Sequence, residues 1–99
     1  MTDVCLKLLA APEIEEKLLD EILMSDLAAT FASQTAASHG GHPATLDASE
    51  QAMGRGNAVL ITVLLDAQAA EELITALRSQ FKGTGLQYWL QPVLSGGEM

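Results

Sequence analysis

Two amphipathic stretches with helical period, each set between short apolar runs of strand character, and a Ser/Ala/Gly-rich stretch in the middle of the chain predict an α+β fold. The order of elements, strand, helix, strand, loop, strand, helix, strand, is that of a ferredoxin-like split βαβ domain (βαββαβ) with an antiparallel sheet. The 99 residues form a single domain, 1–99, because chains near this length commonly enclose one core. That core is aliphatic, with aromatics only 4% of the chain, and a domain this small leaves much apolar surface uncovered as a monomer. Oligomerisation would cover it.

Asp3 to Ala10 opens the chain as a strand, with Val4, Leu6 and Leu8 on one face and Cys5, Lys7 and Leu9 on the other. From Glu13 to Met24 the period changes. Ile14, Leu18 and Ile22 recur every fourth residue, and Glu15, Glu16, Asp20 and Glu21 fall outside that stripe. Pro12 suits the first turn of this helix, the early glutamates complement its positive end, and Glu13 and Lys17 are spaced to pair. Leu27 to Ala37, with Thr30, Phe31 and Thr35, is read as a second strand. Leu46 to Met53 reads as a helical turn or a loop. Ala58 to Leu65, apolar at nearly every position, reads as a strand covered on both faces. Asp66 is placed to cap the helix that follows, whose stripe Ala70, Leu73, Leu77 and Phe81 ends at Gly83. The last strand spans Leu86 to Leu94. Its alternation sets Trp89 on the more polar face, where a large ring suggests a subunit contact. The tail, residues 95–99, is expected to be frayed.

A net charge of −8 and only 5 Lys and Arg leave no basic stripe for phosphates, so nucleic acid is not an expected partner. The single cysteine excludes an internal disulfide. The apolar runs are too short for membrane insertion, and no secretory signal is visible, so a cytoplasmic location is expected. Neither a nucleophile elbow nor a P-loop is present, and Ser38 is only a sequence neighbour of His39, so an enzyme is not expected.

The central motif His39-Gly40-Gly41-His42-Pro43 carries the sharpest chemistry. A β-turn closes four residues to within about 7 Å, so both imidazoles can meet one ion. Neutral imidazole suits a divalent transition metal such as Zn, Cu, Co or Ni. Two ligands do not complete a site; Asp47, Glu50, Cys5 or a residue of a neighbouring subunit would be needed. The plainer reading is two solvated loop histidines, and for Cys5 a small buried hydrophobe. Arg55, between Gly54 and Gly56, is positioned to offer its guanidinium to a carboxylate or phosphate.

The segments Val4 to Pro12 leading into Ile14-Glu15-Glu16-Lys17-Leu18, Ser38-His39-Gly40, Glu50 to Gly56, and Gly85 to Val93 resemble a small PII-like family of otherwise unknown function, over Asp3 to about Leu94. The resemblance implies a ferredoxin-like homotrimer with edge-to-edge sheets and a T-loop-like segment at about 36–56. Members are often encoded beside heavy-metal efflux systems of the RND type, which implies an efflux pump as partner and metal as the signal. Lys82-Gly83-Thr84-Gly85 occupies the place of the Gly-rich B-loop, with one cation where PII proteins use several, so high-affinity ATP binding is not expected. Backbone amides of Gly83, Thr84 and Gly85 can still hold a smaller anion. The expectation is therefore a PII-like adaptor that binds a transition metal at the loop and the intersubunit cleft. The alternatives are a regulator of adenylate or bicarbonate type using Gly83 to Gly85 and Arg55, and an adaptor that recognises protein without any ligand.

Overall fold

The computed structural model describes residues 3–28, 30–40 and 55–99, with only the backbone of Arg55. Strand β1 (Val4–Ala10) leads through a 3₁₀ turn (Pro12–Ile14) into helix α1 (Glu15–Ser25). Strands β2 (Thr30–His39) and β3 (Arg55–Leu65) follow, then helix α2 (Ala67–Gln80) and strand β4 (Gln87–Pro92). The sheet order is β2-β3-β1-β4, with every neighbouring pair antiparallel. Each helix thus joins two parallel strands across the strand between them, as expected for the split βαβ arrangement.

Both helices lie on one face. Leu6, Leu8, Ile61 and Val63 from the sheet form a single buried cluster with Leu18 and Ile22 of α1 and Leu73 and Leu77 of α2. The ends of the helices follow from local chemistry. Pro12 occupies the 3₁₀ turn, and Glu15 and Glu16 fill the first turn of α1. Asp26 stops α1 in the left-handed region at φ 56°, a conformation short polar side chains tolerate. The Asp66 carboxylate accepts a 2.8 Å hydrogen bond from the Ala69 amide, the expected N-cap of α2. Lys17 does not look only to its own helix: its Nζ stands 5.9 Å from the Phe81 ring centroid, tying α1 to the end of α2.

Four expectations need correcting. Strand β2 starts at Thr30 rather than Leu27, because Leu27 and Ala28 pack on the core after the helix. Helix α2 ends at Gln80 with Phe81 as its cap, so Gly83, at φ 81°, lies in the turn beyond instead of closing the helix. The last strand is shorter than Leu86 to Leu94, running only Gln87–Pro92.

The fourth concerns β3, which the described residues cover on one face only. Val59, Ile61, Val63 and Leu65 are buried under the helices, whereas Leu60, Thr62 and Leu64 on the opposite face are half-buried. Leu9 of β1 joins them there, paired with Leu60, and neither Leu9, Leu60 nor Leu64 packs on the core. Trp89 lies on this open face opposite Lys7 and is 41% exposed. Among the described residues no helix is long and apolar enough to cross a membrane.

Candidate effector site at the turn between α2 and β4

The registers place the sequence-predicted residues at separate points of the sheet. Ala10 pairs with Val59, the last contact of β1 with β3, yet β3 and β2 continue pairing out to Arg55 and His39. A two-stranded ribbon therefore projects past the sheet. His39 is the last residue of β2, exposed and opposite Arg55, so it belongs to a strand rather than to the turn expected around Gly40. The loop proper is shorter than 36–56 for the same reason. His42, Asp47 and Glu50 lie outside the described residues.

Cys5 stands far from His39. It is level with Leu64 and hence with Thr30, and His39 is nine residues further along β2, about 30 Å at strand rise. Strand alternation also puts the two on opposite faces of the sheet, and Cys5 is buried. One chain therefore cannot bring both to one ion, and Cys5 reads as the small buried hydrophobe. Among the described residues no group of three or more His, Cys, Asp or Glu is placed to hold a metal.

The Gly83–Gly85 turn meets a different set of side chains. Gly83 and Gly85 both take φ 81°, a left-handed conformation that glycine reaches without strain. The Thr84 hydroxyl donates to the Phe81 carbonyl at 2.6 Å and accepts from the Leu86 amide at 3.4 Å. Thr84 thus fastens the turn, leaving Gly83 and Gly85 to form the lip of a cleft of about 200 Å³. Leu8, Ile74, Leu77 and Phe81 make its floor, and Arg78, Lys82 and Tyr88 its polar rim. Arg78 Nη2 donates to Tyr88 Oη at 2.8 Å, with the guanidinium carbon 5.9 Å from the ring centroid.

Charge makes this cleft unusual for the chain. Two of its 5 basic residues line the cleft, and among the described residues no carboxylate does, in a protein of net charge −8. The backbone of Arg55 lies two strands across and five residues beyond the level of Gln87, roughly 20 Å by strand geometry. The sequence expectation of one cation at this turn missed Arg78. The signal was present, since Arg78 follows the Leu77 position of the apolar stripe by one residue and precedes Lys82 by four, on the helix end that meets Tyr88.

The DUF3240 family, a protein family of unknown function, matches the sequence across residues 1–99. The chain belongs to this family. No curated protein matches it. A crystal structure of a DUF3240 protein from Shewanella baltica OS155 superposes with a TM-score of 0.81 at 18% identity, covering 100% of this chain and 98% of that one. CPII from Thiomonas intermedia K12, a nitrogen regulatory PII-like protein bound to ADP, AMP and bicarbonate, gives 0.75 at 10% identity over 100% and 98%. The divalent cation tolerance protein CutA from Archaeoglobus fulgidus, described as periplasmic, gives 0.70 at 14% over 99% and 89%. At these identities the likeness shows the fold: this DUF3240 protein has the PII-like, CutA-like ferredoxin-type α+β architecture.

Proposed function

We propose that this DUF3240 protein is a non-enzymatic PII-like signalling adaptor, a cytoplasmic homotrimer that binds a small anionic effector. The loop between β2 and β3 then reports occupancy to a protein partner. The observation that carries this reading is the cleft at the Gly83–Gly85 turn, apolar in its floor, with Arg78 and Lys82 at its rim and no carboxylate among the described residues that line it. CPII, which shares the fold, was solved with ADP, AMP and bicarbonate bound, and these set the effector classes to test first. The open face bearing Leu9, Leu60, Leu64 and Trp89 supports the homotrimer, since aliphatic residues left half-buried and outside the core cluster of the described residues favour a second copy.

Native mass spectrometry with AMP, ADP and bicarbonate added separately tests both parts. The expected result is a trimer that takes up one effector per chain. A monomer, or a trimer that takes up none of these three anions and no simple carboxylate either, would count against it.

A second reading has its own observation. His39 sits at the rim of the loop that carries His42, and CutA, with the same fold, is named for divalent cation tolerance. In this reading the two imidazoles, helped by Asp47 or Glu50, bind Zn, Cu, Co or Ni, and the loop engages a heavy-metal efflux pump. Metal uptake that survives the His39→Ala/His42→Ala double substitution would remove it.

A further inference from the structure

We propose that the cleft between α2 and β4 selects a compact organic monoanion, a carboxylate carried on a small apolar body, over nucleotides, with Arg78 as the residue that sets this specificity. The proposal rests on the reading of this cleft as the effector site.

Its electrostatics favour a single negative charge. Anion sites for polyphosphates commonly use a helix N-terminus, where amides and the helix dipole both attract negative charge. This cleft has the opposite end. Arg78 lies in the last turn of α2 and Lys82 just beyond it, so the cleft faces the helix C-terminus, equivalent to about half a negative charge. Two cations less that half charge leave a surplus of about one and a half positive charges, enough for one carboxylate and short of what a di- or triphosphate requires. Lys17 adds little, because its own helix carries Glu15, Glu16, Asp20 and Glu21.

Size and lining point the same way. A volume of about 200 Å³ falls below the 300–1,000 Å³ range typical of pockets for drug-sized ligands. Ile74, Leu77 and Phe81 offer an apolar floor on which a ring or branched chain would be desolvated. Arg78 is already oriented by its bond to Tyr88 Oη, which uses one of its five N–H groups. A planar guanidinium held in this way matches the two oxygens of a carboxylate, a geometry lysine does not reproduce.

The test is isothermal titration calorimetry of the full chain with benzoate, 3-methylbutanoate, AMP, ATP and inorganic phosphate. We expect saturable binding of both carboxylates at one site per chain, tighter than phosphate, and weakened about tenfold or more by Arg78→Gln. Arg78→Lys, which keeps the charge and loses the fork, should also weaken it, and serves if the glutamine variant fails to fold. Carboxylate binding unchanged in both folded variants overturns the role of Arg78. AMP or ATP binding tighter than either carboxylate overturns the ligand class while leaving the cleft as an effector site. No binding of any probe overturns both this proposal and the reading it rests on.

Discussion

Asp66 and Gly83 bracket α2, and each answers to a single physical demand. The Asp66 carboxylate satisfies the Ala69 amide at 2.8 Å, one of the donors that every helix start leaves open. Asp66→Ala should lower stability by about 1 kcal/mol, read as a shift of the urea midpoint with an unchanged slope. Gly83 takes φ 81° with nothing within 4 Å of the position a Cβ would occupy. Gly83→Ala should therefore lose about 1 kcal/mol through backbone strain alone, with no packing change. Asp66 was legible because N-caps announce themselves locally. Arg78 was not, because its importance depends on Tyr88, ten residues away and on another element. His39 was misplaced for a related reason: Gly40 and Gly41 signal a turn, and only pairing with Arg55 extends the strand through the histidine.

Helix α2 shows how differently two neighbouring positions weigh. Leu73 is 1% exposed in the core beneath the helices, so Leu73→Ala should cost about 2–5 kcal/mol, measured by chemical denaturation. Thr75 faces outward, and its hydroxyl donates back to the Glu71 carbonyl at 2.9 Å. Thr75→Ala should stabilise slightly, by a few tenths of a kcal/mol, since alanine carries no restricted side chain in a helix. Such periodic burial made both helices readable from their stripes. Strand β2 was harder. Thr30 to His39 holds Ser, Thr, Ala and Gln without an apolar alternation, and only Phe31 of the strand packs on the core. Its register comes from ten pairs with β3, a long-range fact that no local window contains.

Across the whole molecule, the two faces of the sheet tell the same story as the composition. An aliphatic chain of this length makes more apolar surface than α1 and α2 can cover, and among the described residues of the sheet the surplus gathers opposite them. Trp89 stands on that face, 41% exposed. If the chain assembles as the homotrimer proposed above, Trp89→Glu should reduce the mass measured by light scattering from that of a trimer to that of a monomer. Leu23→Glu and Met24→Glu provide the contrast: these side chains are 67% and 81% exposed on α1, on the other side of the sheet, and their replacement should leave the assembly intact. The sequence expected β3 to be covered twice, because its residues are apolar at nearly every position, whereas among the described residues its second face stays half-buried.

The pairing of His39 with Arg55 brings the two ends of the central excursion to adjacent strands, about 5 Å apart. Ends held this close make the length between them a minor energetic matter, since each doubling adds only about 0.6 kcal/mol of closure entropy. Length can thus be added between these two ends while the ten pairs of β2 with β3 keep their register. Descendants of one stable scaffold are free to change whom they address by rewriting only this stretch.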